Sequence, residues 1–248
     1  DILDVWFDSG AMPYAQENYL FDKEEEKNFT ADFISEGIDQ TRGWFFTLHV
    51  LSVIVFDTIA FKNVLVNGLV LDKNGIKMSK RLGNTIDPFE LIDRFGPDAI
   101  RFYIISSFNI FDTIKFDQEE IKETTNKFFG TLENSYKFFS TYANIENYKA
   151  KEVLNENFDL KIDNWIVSKL HSTIKEVENF YEKYDAKSAA LAIENFVIED
   201  LSNWYIRQNR KRFWKSEFDK SKIDSYDILY TCLLNICKIS APIIPFTS

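Results

Sequence analysis

Phe61-Lys62-Asn63-Val64-Leu65-Val66-Asn67-Gly68-Leu69-Val70-Leu71, then Asp72-Lys73-Asn74-Gly75, then Lys77-Met78-Ser79-Lys80-Arg81: the reading of this stretch decides the fold. The β-branched and aliphatic residues between turn signals predict a strand over 61–71. Asn74-Gly75 readily supplies the positive φ of a tight turn. Working outward, Thr41–Phe56 reads as a helix, and Ala31–Gly37 reads as a strand ending in Glu36-Gly37. Strand, helix and strand in that order predict an open α/β sheet in residues 1–118. Such sheets place ligands beyond the carboxyl ends of their strands, which is where the basic loop falls.

Downstream, Asp87-Pro88 opens a helix, with Asp as N-cap and Pro at a position whose missing N–H costs nothing. It runs to Phe95 and is stopped by Gly96-Pro97, after which Asp98–Ser106 starts another, with Ile100, Tyr103 and Ile104 at helical spacing. From Gln118 onward Gly and Pro almost vanish, and aromatic and charged residues recur every three or four positions. The pattern predicts a bundle over 119–248 with helices at 118–143, 160–183, 186–215 and 223–239, and polar joints near 145–158 and 216–222. The expected architecture is therefore α/β followed by all-α, without a fixed-period repeat.

Composition bounds the function. A chain of 248 residues with a formal charge of −10 does not coat nucleic acid through net charge, so any RNA contact has to come from a local patch. Cys232 and Cys237 lack the paired spacing of a zinc or redox site and read as reduced, buried thiols. His49 and His171 have no partner at metal-ligand spacing, so neither takes a catalytic role and no metal is expected to be bound by this segment. The acidic run Asp22–Glu26 reads as a solvated loop or helix start. No apolar stretch is long enough for a membrane span, and a cytoplasmic protein is expected. The first residue is Asp1, and Ala241–Ser248 ends directly after a Pro-broken apolar run without a polar tail; both ends read as cut from a longer polypeptide.

Four groups of residues carry candidate chemistry. The loop Lys77, Met78, Ser79, Lys80 and Arg81 holds three cations within five residues. It suits a polyphosphate, with Lys80 a compact point charge for a departing pyrophosphate; a solvated basic turn is the alternative. Second, Glu36, Gly37, Asp39 and Gln40 follow a strand and Trp44 opens a helix, so carboxylates and an amide can meet hydroxyl and ammonium groups while Gly37 permits close approach. A capping Asp39 and a core Trp44 are the alternative. Third, Asp4-Val5-Trp6-Phe7-Asp8-Ser9-Gly10 reads by composition as a strand end with an Asp-Ser-Gly turn. Fourth, Ile193, Val197, Leu201 and Trp204 form an apolar stripe, and Arg207, Arg210, Lys211, Arg212 and Lys215 gather positive charge after it. That charge either complements a helix dipole or faces an RNA backbone.

Lys-Met-Ser-Lys followed by Leu-Gly-Asn and Asp-Pro resembles the second signature of class I aminoacyl-tRNA synthetases. The segments around Trp6 and Glu36–Trp44 resemble those of isoleucyl-tRNA synthetases, and Arg81 resembles the form of that loop in the eukaryote-like type. Asn-Trp-Tyr-x-Arg at 203–207 is similar to the anticodon-binding bundle of the isoleucyl, valyl and leucyl group. The resemblance implies the C-terminal half of a Rossmann-type catalytic domain with a connecting stem (1–118) and a truncated anticodon-binding bundle (119–248). It implies that Lys77 and Lys80 serve catalysis in an ATP-binding loop. Glu36, Gly37 and Asp39 would meet the ribose and adenylate linkage; Gln40 and Trp44 would border the amino acid, and Trp6 would wall the isoleucine pocket. Arg207, Arg210, Lys211, Arg212 and Lys215 would touch tRNA.

The implied substrates are ATP with Mg2+, isoleucine and tRNA(Ile), in a monomeric parent enzyme. An apolar pocket of two indoles rejects valine weakly, a limit for which this enzyme class is the known example. The editing domain that supplies the remainder is not in these residues. Nor is the family's first signature, His-x-Gly-His, so the fragment alone is expected not to form the adenylate. A valyl-type fragment and a non-catalytic tRNA-binding module are the rival readings.

Overall fold

The computed structural model describes residues 3–19, 29–154 and 157–248; the acidic run Asp22–Glu26 lies outside them. The chain forms two compact units, one containing the residues up to Lys77 together with Ile110–Lys115, the other Met78–Asn109 and Phe116–Ser248. Division by sequence texture falls near 118; by packing, the helices of 88–107 belong with the bundle.

In the first unit the strand–helix–strand reading is realised as β1 (Ala31–Gly37), α3 (Trp44–Phe56) and β2 (Phe61–Asn67). β1 and β2 pair in parallel, from Ala31↔Phe61 to Gly37↔Asn67, which requires the helical crossover between them. Ile34, Phe45, Leu48 and Ala60 form the core of this unit. The helix begins at Trp44 rather than Thr41, because Ile38–Arg42 take a tighter 3-10 turn first. The expected strand 61–71 is also interrupted. β3 (Val70–Leu71) leaves the sheet to pair in parallel with β4 (Ile114–Lys115). Gly68 is the hinge of that change: its N–H donates to Ile110 O at 2.8 Å, and a Cβ there would lie 1.9 Å from Asp112 O.

Asp4–Gly10 is a correction to the turn reading. Val5–Gly10 form a helix, α1, and Asp4 caps it by accepting from the Trp6 amide at 2.8 Å. A short helix α2 (Met12–Gln16) follows. α1 lies on α3 through its one buried residue, Gly10, where a Cβ would come within 2.9 Å of the Thr47 Cβ, while Val5, Trp6 and Phe7 stay exposed. Tyr14, Tyr19, Phe29 and Phe56 close the far end of this unit with ring centroids 4.9–5.3 Å apart.

The second unit opens with α4 (Pro88–Phe95) and α5 (Pro97–Ser107). Asp87 caps α4 as expected, accepting from Phe89 N at 2.9 Å. On α5 the buried face is Ala99, Phe102, Tyr103 and Ser106, while Ile104 is exposed. Phe102 sets that azimuth by stacking on Phe128, 4.1 Å between centroids. Arg101 and Asp98 then hold the last residues of the chain: Arg101 donates to the carbonyls of Ile243 and Pro242, and Asp98 accepts from Phe246 N and Thr247 Oγ1.

The bundle helices are α6 (Gln118–Thr124) running through a π turn into α7 (Gly130–Ile145), then α8 (Lys161–Glu182). α9 (Ala186–Asn195) continues through a π segment, Phe196–Ile206, into α10 (Arg207–Trp214), and α11 (Lys220–Ser240) follows. Ile193, Val197, Leu201, Tyr205, Asn209 and Phe213 are all buried at four-residue steps. In a regular helix each such step overshoots a turn by about 40°. The π segment, with more residues per turn, takes up that drift. It also corrects the stripe read from sequence: Tyr205, not Trp204, continues it inward.

Candidate functional site

Between β1 and α3 the chain leaves the sheet and starts a helix within a few residues, and two glycines allow it. A Cβ on Gly37 would lie 2.7 Å from Asp39 Oδ1, so that carboxylate folds back over the strand end. Gln40 Oε1 accepts from the Trp44 amide at 3.0 Å, satisfying one of the N–H groups that a helix start leaves orphaned. A Cβ on Gly43 would meet Trp6 ring carbons at 3.0 and 3.2 Å, so the six-membered ring of Trp6 lies on bare backbone. Trp44 Nε1 donates to Ser9 O at 3.1 Å, tying the second indole to α1. Trp6 nevertheless keeps 43 % of its surface exposed, and Glu36 and Asp39 are exposed.

Trp6, Gln40 and Trp44 thus gather where α1 lies on the start of α3, and Glu36, Gly37 and Asp39 come just before Gln40 in the chain, at the carboxyl end of β1 and in the 3-10 turn after it. Two exposed carboxylates offer hydrogen-bond acceptance, Gln40 has its Oε1 committed to the helix start, and an indole face supplies apolar wall. No serine, cysteine or lysine stands among them, so the arrangement suits binding and orientation, not covalent attack.

The Lys77–Arg81 loop spans the joint of the two units, Lys77 closing the first and Met78 opening the second. Before it, Asp72 Oδ1 accepts from the amides of Asn74 and Ile76, and Gly75 takes φ 79°, which shapes the expected turn. Lys77 forms an antiparallel bridge with Leu71. Lys80–Leu82 make a 3-10 turn whose cap is Ser79: its Oγ accepts from Leu82 N, and its own N–H donates to Asn84 Oδ1 at 2.9 Å. Gly83 at φ 66° lets the chain double back. Lys80 and Arg81 are exposed on this turn. Asn84, which the motif reading quotes within Leu-Gly-Asn without a role, is a positioning residue; the signal was a Ser and an Asn bracketing a turn, each with a side chain that bonds local backbone.

Of the five cations expected to face RNA, Arg207, Arg210 and Lys211 are exposed. Lys215 is engaged by Asp219 at 2.8 Å, which holds that carboxyl below its ordinary value. Arg212 is a correction. Its guanidinium is buried and grips Asp163 with two bonds of 2.7 and 2.8 Å, and it also donates to Asn209 Oδ1 and Ser221 O. Tyr205 adds a hydroxyl donated to Asp163 Oδ1; burial and that neighbouring charge push its pKa well up, so the proton stays on. A bidentate buried pair with every Asp163 oxygen satisfied is structural. Asp163 sits some fifty positions upstream, which is why a local charge count assigned Arg212 to the surface.

Cys232 is fully buried and Cys237 half-buried, and both are free. Among the described residues no helix is long and apolar enough to cross a membrane, and no group of three or more His, Cys, Asp or Glu is placed to hold a metal ion.

Residues 1–117 match the family described as tRNA synthetases class I (I, L, M and V), and residues 163–248 match the anticodon-binding domain of tRNA ligase. Curated relatives named isoleucine–tRNA ligase align along the whole chain. That of Cytophaga hutchinsonii is 53 % identical over 99 % of this chain and 22 % of its own length. That of Bacteroides fragilis is 51 % identical over the same shares, and that of Clostridium tetani 47 % identical over 99 % of this chain and 24 % of its own length. The chain therefore spans less than a quarter of these relatives. Among solved structures, Mycobacterium tuberculosis methionyl-tRNA synthetase with methionyl-adenylate superposes with a TM-score of 0.75 at 19 % identity, covering 94 % of this chain and 47 % of that one. A LeuRS–tRNA–LeuAMS complex of Agrobacterium radiobacter gives 0.69 at 21 %, covering 86 % and 26 %. At these identities the likeness speaks for the fold.

Proposed function

Since the chain belongs to the class I tRNA synthetase family, in its isoleucine–tRNA ligase branch, we propose that it works as the rear part of such an enzyme's catalytic domain and stem (residues 1–118) joined to its tRNA-binding bundle (119–248). The parent enzyme activates isoleucine with ATP and passes the acyl group to tRNA(Ile) in the cytoplasm. The observation that carries this reading is the loop at 77–81, an ordered cationic turn held by Ser79 and Asn84 that leaves Lys80 and Arg81 exposed.

In this reading Lys80, with Lys77, balances the charge that grows on the departing pyrophosphate, and Mg2+ arrives with ATP. Glu36, Gly37 and Asp39 receive the ribose and adenylate linkage, and Trp6 with Trp44 walls the branched side chain. Catalysis is orientation plus charge stabilisation, which needs no protein nucleophile.

In the parent enzyme, Lys80→Ala is expected to lower isoleucine-dependent ATP–pyrophosphate exchange by about 10²–10³-fold, the scale of losing one preorganised charge contact, while tRNA binding persists. Undiminished exchange overturns the reading, and exchange supported better by valine transfers it to the valyl type. These 248 residues contain no His-x-Gly-His, and the chain by itself is expected to show no exchange.

A further inference from the structure

The cationic loop at 77–81 is fastened at its root to Leu71, and Leu71 is fastened in turn to a strand from far along the chain. On one side Leu71 forms the antiparallel bridge with Lys77; on the other it pairs in parallel with Lys115 of β4. Partners across a ladder put their side chains on the same face, so Lys77, Leu71 and Lys115 share one, the two lysines lying about 10 Å apart at Cα, two strand spacings. The segment that delivers Lys115 is locked ahead of it. Gly68 N donates to Ile110 O and Ile114 N to Leu69 O, both at 2.8 Å.

Lys115 also reaches the turn between Leu71 and Lys77. A Cβ on Gly75 would lie 3.3 Å from Lys115 Cε and 3.9 Å from its Nζ, so the lysine stem runs along bare backbone there. The residue as a whole stays exposed, with its methylenes packed and its ammonium in water. Gly75 has φ 79° and no side chain of its own to hold the turn in place. Asp72 ties the turn from within through the amides of Asn74 and Ile76, and the Lys115 stem covers it from outside. Two residues beyond Gly75 the loop begins.

We propose that Lys115 is a positioning residue for the loop. Its stem, laid on Gly75 and paired through Leu71, fixes the seat from which Lys77 leaves the ribbon, and with it the aim of the cations that follow. For its effect on activity the proposal rests on the ATP-binding reading of that loop; its effect on loop order does not.

The test uses the full-length enzyme containing this chain in two variants. Lys115→Ala removes the stem, and Lys115→Met keeps an unbranched stem without the charge. Tryptic cleavage after Lys77, Lys80 and Arg81 reads the order of the loop, and isoleucine-dependent ATP–pyrophosphate exchange reads the consequence. In Lys115→Ala, cleavage at those three sites is expected to accelerate several-fold. The exchange kcat is expected to fall roughly 10-fold, short of the ~10²-fold that a 1 Å misplacement can cost, with KM for isoleucine unchanged. Lys115→Met is expected to match the unaltered enzyme in both measurements. A Met variant as impaired as the Ala variant overturns the proposal, because the ammonium would then be what acts. Unchanged cleavage in Lys115→Ala overturns it too, leaving Lys115 as a charge that guards a strand edge. So does cleavage accelerated throughout the chain with a fallen melting temperature, the mark of plain packing. Accelerated loop cleavage with exchange intact is decided by Lys80→Ala: if that variant lowers exchange, Lys115 does not aim the loop and the proposal falls, and if it does not, the ATP reading falls while the positioning stands.

Discussion

Arg212 and Gly68 carry the sharpest consequences at the scale of single residues. Arg212 is one of five cations in the window 207–215, and composition treats them alike. Burial separates it from the rest, because an arginine inside the bundle is tolerable only with its partner Asp163 in place. Arg212→Ala is therefore expected to destabilise the bundle by about 3–5 kcal/mol, leaving an uncompensated buried carboxylate. Arg207→Ala should leave the melting temperature almost unchanged, and thermal unfolding of the two variants distinguishes them. At Gly68 the constraint is space, since its φ is not in the left-handed region and yet a Cβ would overlap Asp112 O. Gly68→Ala is expected to displace the 110–115 segment and lower the melting temperature, whereas Gly83→Ala, with open space around its Cβ, pays only for positive φ. Equal loss in both variants would show that close approach is not what Gly68 provides.

Among the elements, the joint 145–158 departs furthest from its sequence reading. Its polar composition predicts a solvated connection, but Val153 and Phe158 are buried. One side of α11 holds it at successive turns: Asp227 accepts from Tyr148 Oη at 3.0 Å and Lys151 N at 2.8 Å, Thr231 accepts from Val153 N, and Asn235 and Lys238 hold Glu152. Burial, with the charge of Asp227, pushes the Tyr148 hydroxyl above its ordinary value and keeps it a donor. Asp227→Ala removes the one oxygen, Oδ1, that accepts both bonds and is expected to cost about 1–3 kcal/mol, the penalty for stranding part-buried donors. Limited proteolysis checks it: cleavage within 146–158 should accelerate, and an unaltered rate would mean the strap is held by its apolar residues. The remaining helices fall where the three-and-four spacing predicts, because their apolar faces are long enough for the period to dominate. The π segment at 196–206 is the exception in detail, since no local pattern announces a change of turn width.

On the scale of the whole molecule, a net charge of −10 opposes RNA binding everywhere except at a patch. With Arg207, Arg210 and Lys211 as the exposed cations of α10, each neutralising one phosphate, log affinity against log salt should fall with a slope of about −2 for single-stranded RNA. A slope of about −6 or steeper, measured by titration from low to moderate salt, would place the main contacts elsewhere. The division into an α/β part and a helical bundle was legible from residue order alone, as were the Asn74-Gly75 turn, the Asp87 cap and the loop at 77–81. All of these are local: they depend on period, on turn chemistry and on runs of charge that neighbours in sequence can show. Tertiary structure decided the rest. It turned Arg212 inward to Asp163, broke the strand at Gly68, laid α1 on α3 as a helix and drew Val153 and Phe158 of the polar joint into the core. Each of these rests on a partner distant in the chain, and burial, which sets the cost of an unpaired charge or an open backbone group, exists only once the chain has folded.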